Sequence, residues 1–136
     1  MKTERYAFLF TNEEVRQYSE LSGEQNPIYF SAQTARELGY KGIPIPPAMP
    51  FSAYRHIEIP WSLEGPVIHR KQECRLHMVM YTDQIYTGCV TLTNPSSRHN
   101  RMFIQQDLEI YDEQGNRCFS GISHLIAGGL IENHSF

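Results

Sequence analysis

The chain has 136 residues, of which 40% are apolar and 20% charged, and its net charge is −3. That composition suits one domain with a real hydrophobic core and excludes a disordered chain. The weak negative charge, with no basic stretch, argues against a nucleic-acid partner, and no run approaches the roughly 18 apolar residues of a membrane span.

The opening residues, "MKTERYAFLFTNEE", lack the apolar core and cleavage site of a signal peptide, so a cytoplasmic location away from membranes is expected. "RYAFLF" (5–10) reads as a short first strand. Thr11 then begins "TNEE", a capping box in which Thr11 takes the Glu14 N–H while Glu14 reaches back to the Thr11 backbone. Val15, Tyr18 and Leu21 follow at three-residue steps as a buried face, and Gly23 is the stop. Ser31 caps a second short helix, "AQTAREL", which Gly39 ends.

"GIPIPPAMP" is too rich in proline for helix or central strand. Pro50 can open a third helix over 50–57, with Phe51, Ala53, Tyr54 and Ile57 as its buried stripe. Residues 58–66 read as loop. From Val67 the chain reads as four strands, roughly 67–80, 84–93, 101–111 and 117–127, broken by Asp83, "NPSSRHN" (94–100) and "DEQGN" (112–116). Ile104, Gln106, Leu108 and Ile110 alternate with polar neighbours, the period of a sheet with one buried face. The tail from 128 carries no clear signal.

Cys74, Cys89 and Cys118 fall in strand-like apolar segments, and an odd number without paired spacing does not suggest a disulfide framework. Buried or half-buried thiols are expected. Cys74 and His77 are an odd separation apart and would point to opposite faces of a strand. The six histidines show no zinc-like grouping, so no metal is expected. The whole reads as α+β, an antiparallel sheet with helices on one face. Few helices leave sheet surface uncovered, and dimerisation is expected.

"YSELSGEQNPIYFSAQTA" (18–35) resembles the signature of MaoC-like dehydratases and (R)-specific enoyl-thioester hydratases. It matches at Tyr18, Leu21, Ser22, Gly23, Asn26, Pro27, Ile28 and Ala35. "GIPIPPAMPFSAYRHI" (42–57) is similar to the turn and helix of the N-terminal, fatty-acid-synthase-type branch of that family, and 67–94 is similar to its long strand, Asp-containing turn and next strand. The resemblance implies a single hot-dog domain over 1–136, its curved antiparallel sheet wrapped around a central helix at 50–57. It also implies a homodimer, or a heterodimer with another hot-dog subunit. The ligands would be acyl thioesters of coenzyme A or acyl carrier protein, with no further cofactor. Glu24, Asn26 and Tyr29 fall at the catalytic loop, and Ser22, Gly23, Ile45, Pro47, Ala48, Met49 and Tyr54 at the substrate-binding positions.

Hydration of an enoyl thioester needs a base for the water, an acid for the α-carbon and donors for the enolate oxygen. Here Glu24 stands at the family's Asp position, one methylene longer, and a misplacement of about 1 Å can cost roughly a hundredfold in rate. Tyr29 stands at the His position, with a phenol of ordinary pKa about 10. Pro47 stands where hydratases have Gly and has no N–H to give; losing one oxyanion donor costs roughly 2.7–4 kcal/mol.

These residues also have structural readings. Asn26-Pro27 can simply set a turn, Glu24 can be a solvated carboxylate, and Tyr29 can be an anchor for the loop. His56 is either a substitute base or a packing residue. Arg70, Lys71, Arg98 and Arg101 either bind the phosphates of coenzyme A or are solvated. Three functions stand: a thioester-binding or partner subunit, an active hydratase or dehydratase using Glu24 with Tyr29 or His56, and a thioesterase in which Glu24 activates water toward the carbonyl.

Overall fold

In the computed structural model, which describes residues 1–132, Thr11 opens helix α1 (Asn12–Leu21) by accepting the Glu14 N–H at 3.0 Å. Glu14 meets the Thr11 hydroxyl at 3.3 Å instead of its backbone, so only half of the expected capping box forms. Val15 is buried and Tyr18 half-buried, but Leu21 is 90% exposed. Three-residue steps drift off a 3.6-residue face, and the buried contact passes from Val15 to Ser19. Gly23 (φ 74°) and Gly39 (φ 95°) take left-handed conformations after α1 and α2 (Ala32–Glu37), and Ser31 caps α2 through the Thr34 N–H, as the sequence predicts.

The strands are β1 (Tyr6–Phe8), β2 (Trp61–Glu64), β3 (Ile68–Leu76), β4 (Tyr86–Arg98), β5 (Arg101–Tyr111), β6 (Arg117–Ala127) and β7 (Gly129–Glu132). Five form one antiparallel sheet in the order β1-β4-β5-β6-β3, and β2 pairs with β7. The alternation predicted for β5 holds, with Ile104, Gln106, Leu108 and Ile110 all buried.

The structure corrects several expectations. Residues 58–66 are not simply loop: Trp61, buried to 4% exposure, anchors β2 between Pro60 and Pro66, and its partner β7 lies in the tail. Of that tail, residues 133–136 lie outside the described residues. "NPSSRHN" does not end β4. A register shift between Thr93 and Ser96 carries the strand past Pro95, which has no N–H for the ladder, and the turn falls at His99 and Asn100 (φ 52° and 61°). The strand expected over 67–80 ends at Leu76, because the chain then turns to run beside 43–45: the Ile45 N–H donates to Met80 at 2.8 Å and the Thr82 N–H to Ile43 at 3.1 Å. Cys89 and Cys118 are buried, but Cys74 is exposed, since β3 is an edge strand that no element covers among the described residues.

The third helix is a 3₁₀ helix over Met49–His56. Ala53 and Ile57 are buried as expected, Phe51 and Tyr54 only half, and Met49 and Pro50 join the core. Glycines in the sheet receive the segment at both ends. Phe51 rests over Gly121 of β6, and Ile57 over Gly88 of β4. One core cluster unites this helix with Phe8, Phe10, Val15 and the inner faces of β4, β5 and β6. The α+β class and the antiparallel sheet around a central helix are those the resemblance implies.

Candidate functional site

The loop after α1 is shaped by its own side chains. Past Gly23, the Glu24 N–H returns to the Ser19 carbonyl at 2.9 Å. The Glu24 carboxylate folds back and accepts the N–H groups of Gln25 (3.1 Å) and Asn26 (3.0 Å). Asn26 accepts the Ile28 N–H at 3.2 Å and so starts a short 3₁₀ turn, Pro27–Tyr29. Ile28 is buried at 5% exposure and pins the turn to the body of the protein, while residues 21–27 are exposed.

Tyr29 is half-buried. Burial, then the negative charge of Glu24, then Tyr40 push its phenol above its ordinary pKa of 10.0. At neutral pH it is therefore a neutral hydroxyl, able to donate or accept a hydrogen bond but not to serve as a base.

The turn before the central helix is held by the pairing of 43–45 with 80–82. The Met49 N–H donates to Pro46 at 3.0 Å. After the two prolines, the first backbone N–H in the chain is that of Ala48. Pro47 and Ala48 are exposed, as are Ser22 and Gly23, whereas Ile45 and Met49 belong to the core at 4% and 3% exposure. The fold thus gathers Glu24, Asn26 and Tyr29 on one loop and sets Pro47 and Ala48 at the head of the helix. His56 stands at the other end of that helix, about 14 Å from Met49 at the 3₁₀ rise. It is exposed, and its ring stacks on Phe8 with centroids 5.7 Å apart.

The basic residues divide. Lys71 is paired with Glu73 at 3.0 Å. Arg70 and Arg98 both lie against the Phe103 ring, at 5.7 and 5.3 Å from its centroid, and Arg101 faces Arg98 across the hairpin.

Sequence reasoning missed a polar group inside the sheet. The Trp61 indole donates to the Gln106 amide oxygen at 2.8 Å, and both residues are buried. Tyr54 brings its hydroxyl beside Gln106 and Ser123; that oxygen is buried without a hydrogen-bond partner of good geometry, and burial pushes its pKa up. The alternation in β5 had placed Gln106 on the buried face, but nothing local joins it to Trp61.

Three cavities lie elsewhere. One of about 470 Å³ opens on the outer face between β3, β5 and β6, and others of about 490 and 210 Å³ flank Tyr81 and Asp83. Glu24, Asn26 and Tyr29 line none of these three. Among the described residues, no group of three or more His, Cys, Asp and Glu could hold a metal ion, and no helix is long and apolar enough to cross a membrane.

Residues 1–120 match the family model described as FAS1-like, dehydratase domain region. No curated protein matches the chain. Its fold is shared with solved structures. A chain of the HadBC (3R-hydroxyacyl-ACP dehydratase) complex of Mycobacterium tuberculosis is 15% identical, with 93% of this chain and 95% of that one covered and a TM-score of 0.76. The R-hydratase PhaJ1 of Pseudomonas aeruginosa is 16% identical, with 100% and 87% covered and a TM-score of 0.71. The MaoC-like dehydratase of Rhodospirillum rubrum is 11% identical, with 98% and 94% covered and a TM-score of 0.72.

Proposed function

The chain belongs to the FAS1-like dehydratase family, with the hot-dog fold of MaoC-like dehydratases and (R)-hydratases, and from that premise we propose that it holds acyl or enoyl thioesters of coenzyme A or acyl carrier protein as a binding or partner subunit, with hydratase chemistry weakened in this chain.

The observation that carries this reading is the state of the loop. Glu24 spends one carboxylate oxygen on two N–H groups of its own backbone. That oxygen is committed to the loop backbone and is less free to orient a water for attack. Tyr29 keeps its proton, and Pro47 supplies no N–H at the head of the helix. Each of the three functions that hydration needs is thus reduced by a separate substitution. Ala48 offers the remaining backbone donor there, enough to hold a thioester carbonyl.

The loop and the head of the helix are exposed in the single chain. A second hot-dog subunit seated against them would close a channel over Glu24, Asn26 and Tyr29. That is consistent with the HadBC chain being part of a complex.

Two measurements on the purified protein test the reading. Titration with a saturated acyl-coenzyme A should give saturable binding. Incubation with crotonyl-coenzyme A should leave both the enoyl absorbance and the free-thiol signal unchanged. Loss of the enoyl absorbance without thiol release would make the chain an active hydratase. Thiol release would make it a thioesterase, and failure to bind the saturated thioester would remove the reading altogether.

A further inference from the structure

Phe103 stands on the outer face of the sheet, since its neighbour Ile104 is buried in the core on the other face. Two guanidinium groups lie over its ring, that of Arg70 at 5.7 Å and that of Arg98 at 5.3 Å from the centroid. Arg101 shares that face two residues before Phe103 and stands opposite Arg98 in the ladder. All three arginines are exposed. Three cations thus converge on one spot of a chain whose net charge is −3.

Two irregularities in the sheet bring them there. In β4, Thr93 pairs with Gln105 and Ser96 with Phe103, so one residue is inserted. In an uninterrupted strand Arg98 would share the face of the buried Val90 and Leu92, and the insertion turns it to the face of Phe103. In β3, His69 pairs with Leu125 and Lys71 with His124, which leaves Arg70 as the extra residue. Strict alternation would send Arg70 to the face opposite Lys71, yet its guanidinium reaches Phe103 across β6. Bulges in two separate strands therefore aim at one ring.

The arrangement opposes folding unless an anion meets it. His99 and Asn100, both with positive φ, make the two-residue hairpin turn that holds Arg98 against Arg101. Like charges directly opposite in a ladder are destabilising. Among the described residues no carboxylate pairs with Arg70, Arg98 or Arg101, and their guanidinium groups donate no hydrogen bond. The carboxylates of that face are engaged elsewhere, Glu73 by Lys71 and His124, Asp107 by Gln105 and Glu109 by Arg117.

We infer that Arg70, Arg98 and Arg101 form a binding site for a phosphate ester or diphosphate beside Phe103. Lying over a ring uses the flat face of a guanidinium and leaves the N–H donors in its plane, the fork that takes phosphate oxygens in pairs. The cluster is compact and fits one or two phosphate groups, whereas a long polyanion needs a stripe of cations. The site lies outside the loop and helix head of the reading above and does not depend on it. Two sources share the chemistry, the nucleotide end of coenzyme A and a free nucleotide or diphosphate, and the test separates them.

ADP and pyrophosphate are titrated into the full chain by calorimetry at low ionic strength. Both should bind saturably, compete for one site and weaken as salt is added. Arg98→Ala and Arg101→Ala should each weaken ADP by about tenfold. Arg98→Lys, which keeps the charge and loses the fork, should recover only part of that loss. Arg16→Ala, which removes a cation from α1, should change nothing. Coenzyme A that weakens with the same arginine variants would assign the site to its nucleotide end, and coenzyme A that does not, while ADP does, would assign it to a free nucleotide. Absence of saturable binding by both probes would overturn the inference, as would equal weakening by Arg16→Ala. An acyl-pantetheine carries the thioester without the nucleotide phosphates. Its binding without that of ADP and pyrophosphate would leave the loop reading and remove this one, and the opposite pattern would do the reverse.

Discussion

Phe51 lies so close over Gly121 that a Cβ at residue 121 would stand 2.5 Å from Cε1 of the Phe51 ring. The same ring meets Phe119 edge-on, with centroids 5.2 Å apart and planes at 90°. The missing side chain is what lets the central helix approach the sheet at its N-terminal end, where Pro47 and Ala48 are presented. At the other end, a Cβ on Gly88 would meet Ile57 and Phe8, both at 3.1 Å.

Gly121→Ala should therefore destabilise the protein by about 1–3 kcal/mol, the usual cost of overpacking, although alanine ordinarily improves a strand over glycine. Urea denaturation measures it. Adding Phe51→Leu should recover part of the loss. Equal and additive losses in the double variant would mean that the two residues do not confront each other as described.

Trp61→Phe removes the donor to the buried Gln106 oxygen at 2.8 Å. Leaving that acceptor unpaired should cost about 1–3 kcal/mol. The pair Trp61→Phe with Gln106→Leu should be less destabilised than the sum of the singles, because the orphaned amide is gone. The quantity to follow is the coupling in a double-mutant cycle, and a value of zero would contradict the contact.

Tyr29→His with Pro47→Gly restores an imidazole to the loop and an N–H to the head of the helix. If the remaining site is intact, hydration of crotonyl-coenzyme A should rise by about a hundredfold or more over the parent, with each single change giving much less. A folded double variant, checked by circular dichroism, that stays as inactive as the parent would count against the geometry assigned to residues 24–29.

Asp112 accepts the N–H groups of Asn116 (2.8 Å) and Gln114 (3.0 Å) in the turn between β5 and β6. The Asn116 backbone bond is the main cause holding its carboxyl below the ordinary value of 3.8. A depressed folded-state pKa stabilises the protein above the ordinary value, and that contribution disappears as the pH falls through the lowered one. The stability difference between the parent and Asp112→Asn should accordingly be constant near neutrality and shrink below about pH 4. Urea midpoints at stepwise lower pH report it, and a gap that persists in strong acid would rule the linkage out.

Much of the first half was legible because its signals act over a few residues. Thr11 and Ser31 cap helices and Gly23 and Gly39 end them through bonds no more than one turn away, and the Asn26-Pro27 turn is closed by the Asn26 side chain itself. Alternation in β5 named its buried face, and residues 18–35 carried the family. The order of residues could also say what the loop lacks, an imidazole at 29 and an N–H at 47.

It could not say where the remaining atoms turn. Glu24 folds onto its own backbone, and His56 packs on Phe8 away from the loop. Leu21 and Cys74 are exposed because, among the described residues, no element covers their side chains. Trp61 finds Gln106 across 45 residues, and β2 finds β7 in a tail with no readable pattern. Local preferences are set by near neighbours along the chain, whereas burial, register and the free edge at β3 are set by which distant segments meet, and only the folded chain decides that.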